Sequence, residues 1–236
     1  MDANKEQCQR TAVITGASDR IGFELAKECL DLGYYAVIHY RTSPEPAASV
    51  FSGDGRVAFI QADLTESPEK FIADVKKLRV PPLAGLINNA SLFEAGDMSA
   101  PDHFDRTLTV NALTPLRLSA AFAKSAGSGW IINITDAHIR SKSRKYQNYR
   151  VSKLFLEEIT RQQACLYAPA IRVNAIAPGA ILPAAGETRE SFDYLIKNIP
   201  MNRTGAPAHI RQALRFLVEN DYVTGSVIPI DGGLGL

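Results

Sequence analysis

The chain alternates short, nearly unbroken apolar runs with longer amphipathic stretches, and this alternation narrows its possible folds more than any other feature. "TAVIT" (11–15), "YAVIHY" (35–40), "RVAFIQ" (56–61), "LAGLIN" (83–88), "GWIINIT" (129–135), "IRVNAIA" (171–177) and "SVIPI" (226–230) read as seven strands. A strand with one wet face alternates polar and apolar residues, whereas one covered by helices on both faces is apolar throughout. Helical patterns fill 20–32, 67–78, 101–125, 146–167 and 207–219, with Pro101, Pro169 and Pro207 punctuating helix starts or ends. The alternation predicts an α/β fold: a Rossmann-like, doubly wound sheet of about seven mostly parallel strands with helices on both faces. At 236 residues and 46% hydrophobic, one large core and a single domain over 1–236 are expected. The stretch 178–200 carries no strand pattern, and a lid over the site is expected at 180–200.

Charge and cysteine usage remove several function classes. Lys and Arg total 26 against 25 Asp and Glu, so no global field draws the chain to nucleic acid or to an anionic membrane. The cysteines, Cys8, Cys29 and Cys165, are odd in number and far apart, and the four histidines lack ligand spacing. Neither a disulfide framework nor a metal site is expected, and a reducing cytoplasm fits. The N-terminal "MDANKEQCQR" is polar and no apolar run reaches about 18 residues, so a soluble protein without secretory signal or membrane anchor is expected.

The first strand runs into Gly16 and Gly22 and then a helix carrying Ile21, Leu25, Ala26 and Leu30. Such a turn lets backbone approach a pyrophosphate while helix N–H groups face the anion, although any tight strand-to-helix turn also favours glycine. Arg20 stands where a middle glycine would be usual and puts a cation within reach of phosphate. The second strand ends in "HYRTS", with Arg41 and Thr42 and no carboxylate, which favours NADPH over NADH, because a guanidinium pairs with a 2′-phosphate that a carboxylate would repel. Asp63 ends the third strand, where it can accept from an adenine amino group or cap the following turn. "NNAS" (88–91) ends the fourth with small polar residues that permit close approach.

Tyr149 and Lys153 are four apart on a predicted helix and share a face. An ammonium beside the phenol is expected to lower the tyrosine pKa toward the working range. Thirteen residues before Tyr149, at the mouth of the fifth strand, stands Asp136.

These residues resemble the short-chain dehydrogenases/reductases over essentially the full length: "TGASDRIG", "NNAS", "VNALTP", "YRVSK", "IRVNAIAPG" and "VTGSVIPIDGG" stand in that family's order. The resemblance implies that Asn111 holds a proton-relay water through its helix, that Lys153 also binds nicotinamide-ribose hydroxyls, and that Pro178 and Gly179 flank the nicotinamide. It assigns Gly16, Ser18, Arg20, Ile21, Gly22, Tyr40, Arg41 and Thr42 to cofactor binding, and with them Asp63, Leu64, Asn89, Ala90, Ser91, Tyr149 and Lys153. It also implies a homotetramer built through 101–125, 146–167 and the C-terminal segment.

The family usually has serine where this chain has Asp136. An ionised carboxylate cannot donate to a carbonyl oxygen and repels the charge developing there. It suits a substrate rich in ring N–H and amino donors, and two adjacent acids in a dry pocket tend to keep a shared proton. The pattern is similar to the pteridine reductase and dihydromonapterin/dihydrofolate reductase branch, which implies a C=N bond of a dihydropteridine as hydride acceptor, with Arg20, Ser91, Phe93, Asp136 and Tyr149 around it and Phe93 stacked on its face. Asp19 and the offset of Arg41 and Thr42 depart from that pattern, as does an unreadable lid. A reductase of a 3-oxoacyl thioester or quinone, or a non-catalytic NADP-binding regulator, are the competing readings. "RSKSRK" (140–145) reads as a solvated basic loop or as an attractor for an anionic substrate tail.

Overall fold

In the computed structural model, residues 9–140, 144–183, 192 and 196–236 are described. The strands are β1 (Thr11–Ile14), β2 (Tyr35–Tyr40), β3 (Val57–Gln61), β4 (Leu83–Asn88), β5 (Gly129–Ile134), β6 (Ile171–Pro178) and β7 (Val227–Ile230). They form a seven-stranded sheet in the order β3-β2-β1-β4-β5-β6-β7, with every pairing parallel. All seven expected strands are present, shifted by a residue or less at their ends. The order reverses between β1 and β4, and the crevice beyond the carboxyl ends of those strands is where doubly wound sheets take ligands.

Among the described residues, seven helices flank the sheet: α1 (Arg20–Asp31), α2 (Ala47–Val50), α3 (Pro68–Lys77), α4 (Pro101–Leu108), α5 (Thr114–Ala126), α6 (Gln147–Tyr167) and α7 (Pro207–Glu219). The short α2 was not foreseen. The expected helix at 101–125 is broken into α4 and α5 by a π-helical turn, Thr109–Leu113, that contains Asn111. Such turns are single-turn bulges in an α-helix and concentrate at functional sites. Local chemistry sets the ends of α3: Ser67 accepts from the Lys70 N–H at 3.3 Å, Pro68 opens the helix, and Lys76 and Lys77 face the negative end of its dipole.

Side chains of successive β1 residues point to opposite faces. Ala12 and Ile14 pack in a core with Leu25, Ala26 and Leu30 of α1 and Ile210, Leu214 and Leu217 of α7. Val13 packs in a second core with Phe71, Ile72 and Val75 of α3 and Leu118 and Phe122 of α5. Two covered faces are the physical reason for the unbroken apolar runs. Trp130 is buried and donates to the Tyr34 hydroxyl at 3.0 Å, a packing role in the first core.

Beneath the carboxyl end of the sheet runs a ladder of buried polar groups. Asn88 donates to Asn133 at 2.8 Å and to Ser119 at 3.1 Å, and Asn133 donates to Thr160 at 2.8 Å. This ladder fixes α5 and α6 on β4 and β5. Asn133→Ala removes one bond from each of two buried partners, Asn88 and Thr160, and leaves a cavity between them, and we expect a loss of about 2–4 kcal/mol. Thermal unfolding should show it as a fall of roughly 4–16 °C in Tm; an unchanged Tm would remove the ladder's structural role.

Candidate active site

The chemistry-bearing residues converge where β5 ends and α6 begins. Tyr149 lies in the first turn of α6, and its hydroxyl donates to Asp136 Oδ2 at 3.0 Å. Asp136 follows β5, and its Oδ1 accepts the His138 N–H at 2.7 Å. The Ala137 N–H bonds the Pro178 carbonyl at 3.0 Å, so the end of β6 also holds this turn. Burial raises the Asp136 pKa above the ordinary carboxylate value, against the bonds from His138 and Tyr149 and the charge of Lys153. Burial and then the neighbouring carboxylate raise Tyr149 well above an ordinary phenol. A carboxylate and a phenol that both resist ionising hold a proton between them.

The expected direction of the tyrosine shift is therefore reversed. Lys153 lies 5.7 Å from the centre of the Tyr149 ring and donates to the Ile134 carbonyl at 2.8 Å, not to the phenol. Burial lowers Lys153 itself to about 8. Helical spacing places the two side chains on one face but says nothing of desolvation, which dominates both groups here.

Asn111 is fully buried and saturated by side-chain bonds. Its Oδ1 accepts from the Leu92 N–H at 2.7 Å and Ser91 at 3.1 Å, and its Nδ2 donates to the Leu92 carbonyl at 2.9 Å and Ser152 at 3.0 Å. Ser152 in turn donates to the Tyr149 carbonyl at 2.6 Å. The Asn111 side chain thus welds the loop after β4 to the helix bearing Tyr149. Phe93, on that loop, meets Tyr149 edge-on with centroids 4.7 Å apart, while Tyr146 stacks on the Phe93 ring at 4.6 Å. Phe93 remains 47% exposed, so it offers aromatic surface beside the phenol. The loop is fastened again by the Gly96 N–H to the Lys145 carbonyl at 2.9 Å and by Asn148 to His103 Nδ1 at 2.8 Å.

The nucleotide end is built around the turn between β1 and α1. Gly16 has φ +59, and a Cβ there would stand 2.9 Å from Ala90 Cα; a Cβ on Gly22 would fall 2.3 Å from the Gly16 carbonyl oxygen. Asn89 Nδ2 donates to the carbonyls of Thr15 (2.9 Å) and Gly16 (2.8 Å), and Thr15 Oγ1 accepts the N–H groups of Asn89 (2.9 Å) and Ala90 (3.0 Å). His39, which sequence reasoning passed over, receives the Gly16 N–H on Nδ1 at 3.0 Å. A polar residue inside an otherwise apolar strand was the available signal, since a buried imidazole needs partners. The Ser18 carbonyl accepts from Ala47, which ties the loop to α2. Ile21 packs against the first core, and Tyr40, Arg41 and Thr42 line the end of β2 with Arg41 and Thr42 exposed.

Three expected contacts are otherwise engaged. The Arg20 guanidinium donates to the Pro183 carbonyl, bridging the glycine loop to the segment after β6. Asp63 Oδ1 accepts from the Thr65 N–H at 2.9 Å and its hydroxyl at 2.6 Å, the turn-capping alternative, and these bonds lower its pKa. Leu64 places its side chain in the second core. Pro178 closes β6, and Gly179 packs against Asp231 where a Cβ would not fit. Most of the expected lid, 184–191 and 193–195, lies outside the described residues, as does Lys142 of the basic loop, whose Arg140, Arg144 and Lys145 are exposed. Among the described residues, no cluster fit to hold a metal occurs, and no helix is long and apolar enough to cross a membrane.

A family model described as enoyl-(acyl carrier protein) reductase matches residues 16–235. The chain belongs to the short-chain dehydrogenase/reductase family and is an oxidoreductase. Within that family it is 31% identical to a dihydromonapterin reductase of Klebsiella pneumoniae over 236 residues, covering 97% of this chain and 98% of the relative. The crystal structure of FolM alternative dihydrofolate reductase 1 from Brucella suis in complex with NADP superposes with a TM-score of 0.89 at 30% identity, covering 98% of this chain and 96% of that one. A granaticin polyketide synthase putative ketoacyl reductase of Streptomyces violaceoruber is 28% identical, covering 95% of this chain and 96% of the relative.

A buried ammonium carries a pH signature. Between about pH 8 and 10.5 the lysine of the unfolded chain is protonated while the folded group is mostly not. Between those values the unfolded state binds more protons, so this group's contribution to stability rises with pH. We expect the Tm of wild type relative to Lys153→Met to climb between about pH 7.5 and 9.5, by an equivalent of about 1–2 kcal/mol. A difference that stays flat would mean that the ammonium is solvated.

Proposed function

We propose that the protein is an NADPH-dependent reductase that transfers hydride to a C=N bond of a dihydropteridine, of the dihydrobiopterin, dihydromonapterin or dihydrofolate type. The observation that carries this reading is the 3.0 Å bond from Tyr149 to Asp136, at the position where a carbonyl reductase needs a neutral hydroxyl donor. The relatives named for dihydromonapterin and dihydrofolate reduction support it. The close-packed glycine turn, the α1 N-terminus without acidic residues in its first turn, and the exposed Arg41 fit a dinucleotide carrying a 2′-phosphate.

Reduced nicotinamide supplies the hydride when bound. Tyr149 then delivers its proton to the ring nitrogen beside the carbon that receives hydride, so that C=N becomes CH–NH with charge balanced. Asp136 accepts a bond from a substrate N–H or amino group, and the proton that the pair has given up is replaced from solvent. Lys153, buried and largely cationic near neutral pH, keeps Asp136 from losing its acidity altogether and offers N–H groups to a ribose. Asn111 holds the Ser91–Phe93 loop in register with Tyr149, and Phe93 packs on the pterin face. The backbone of the Asn111 turn is where a relay water would be held. Exposed Leu154, Phe155 and Leu166 on α6 are surface that further copies of the chain would cover in a homotetramer, and the free Cys29 and Cys165 suit the cytoplasm. The ketoacyl reductase relative keeps a second reading open, reduction of a 3-oxoacyl thioester.

NADPH oxidation assayed with dihydromonapterin, dihydrobiopterin, dihydrofolate and an acetoacetyl thioester separates the two. We expect turnover with at least one pterin and little with the thioester; turnover with the thioester alone would establish the second reading. Tyr149→Phe and Asp136→Ala should each lower kcat by about 10²–10⁴ while NADPH affinity stays within roughly threefold. Wild-type turnover in Asp136→Ala would end the pteridine assignment.

A further inference from the structure

We propose that His39 is a positioning residue for cofactor binding: its neutral imidazole clamps the glycine loop to the ends of β2 and β3 and holds the loop in the shape that receives a dinucleotide. The inference rests on the NADP(H) reading above and adds to it a residue that touches no ligand.

The geometry fixes the state of the ring. The Gly16 N–H donates to Nδ1 at 3.0 Å, so Nδ1 is an acceptor, and Nε2 lies 3.0 Å from the Ala62 carbonyl, so Nε2 carries the proton. The His39 carbonyl also accepts the Ala17 N–H at 3.0 Å. Two consecutive loop N–H groups therefore end on one residue of β2, and Asn89 holds the Gly16 carbonyl from the β4 side. Gly16 sits in the left-handed region between these restraints, with Ala90 closing the space beside it. Ala62 immediately precedes Asp63, so the same ring sets the distance from the phosphate loop to the β3 end.

Protonation would place an N–H on Nδ1 against the Gly16 N–H and break the clamp. His39 is 3% exposed, and burial lowers its pKa below the ordinary histidine value. Facing the ring are the Asp63 carboxylate at the end of β3, which favours the proton, and from α3 the edge of Phe71, 5.3 Å away between centroids. Arg41, one residue beyond the end of β2, acts on Asp63. Because the folded pKa is depressed, the unfolded chain takes up a proton first as pH falls. The stability this group contributes is complete above about pH 6.5 and drains away below it.

Two variants separate the clamp from simple packing. His39→Asn keeps an acceptor close to Nδ1 but does not titrate; His39→Leu fills space and leaves the Gly16 N–H unbonded. By calorimetric titration with NADP⁺ near neutral pH, we expect His39→Leu to bind about tenfold or more weakly and His39→Asn within roughly threefold of wild type. In steady-state assays His39→Leu should raise KM for NADPH and leave kcat at saturation within about twofold. The Tm of the ligand-free wild type should fall relative to that of His39→Asn between about pH 7 and 5, which holds as a test even if the leucine variant does not fold. Wild-type affinity for NADP⁺ in His39→Leu, or a Tm difference from His39→Asn that is independent of pH, overturns the proposal. Absence of NADP⁺ binding by wild type would instead overturn the cofactor reading itself.

Discussion

A proton held between a carboxylate and a phenol is the interaction around which this site is arranged. Burial penalises the anion of each residue, and the Asp136 carboxylate further penalises that of Tyr149, whose hydroxyl donates to it. The usual worry about a buried acid, that it is left uncompensated, does not apply to one whose oxygens accept the His138 N–H and the Tyr149 hydroxyl. A serine in place of Asp136 could donate a hydrogen bond as well as accept one, whereas an ionised carboxylate only accepts.

That pairing is only as good as the scaffold that sets its distance, and the scaffold is polar. The buried ladder from Ser119 through Asn88 and Asn133 to Thr160 seats α5 and α6 on the sheet. Above it, Asn111 joins the loop after β4 to Ser152, and Ser152 joins the first turn of α6. Apolar packing alone would let helices slide by fractions of an ångström at little cost, whereas buried, directional amide bonds such as those from Asn88 Nδ2 and Asn133 Nδ2 are lost when they do. The π-helical turn at Thr109–Leu113 is where the helix departs from its regular repeat and carries Asn111 to those partners.

The sheet and its order of elements were legible because two covered faces force unbroken apolar strands, and no turn chemistry competes with that signal. The identities of Tyr149, Lys153 and Asp136 were legible for a different reason: spacing puts two on one helical face and the third at a strand mouth. Their electrostatics were not. Spacing suggested that Lys153 would make Tyr149 more acidic, but burial governs both, and no local pattern in the sequence encodes how much water a pocket holds. The break between α4 and α5 was legible only in part: Thr109, Val110 and Asn111 are weak helix formers and Pro115 stands in the first turn of α5, but neither signal specifies a π-helical turn. His39 and Asn89 were missed or undervalued as side chains because their partners are backbone groups of the glycine turn, about 23 and 73 residues away in the chain.

Arg20 shows how the two ends of the site are joined. It opens α1 with φ +57, a left-handed conformation that costs a non-glycine residue about 1–2 kcal/mol and that glycine would adopt freely. Arginine at such a position must be held by something its side chain does. Here the guanidinium crosses to the Pro183 carbonyl, just beyond the Pro178–Gly179 corner whose Pro178 carbonyl supports the Asp136 turn. In a chain whose net charge is only +1, a phosphate is met by cations placed one at a time. The turn between β1 and α1 and the segment that follows β6 are thus joined through one side chain.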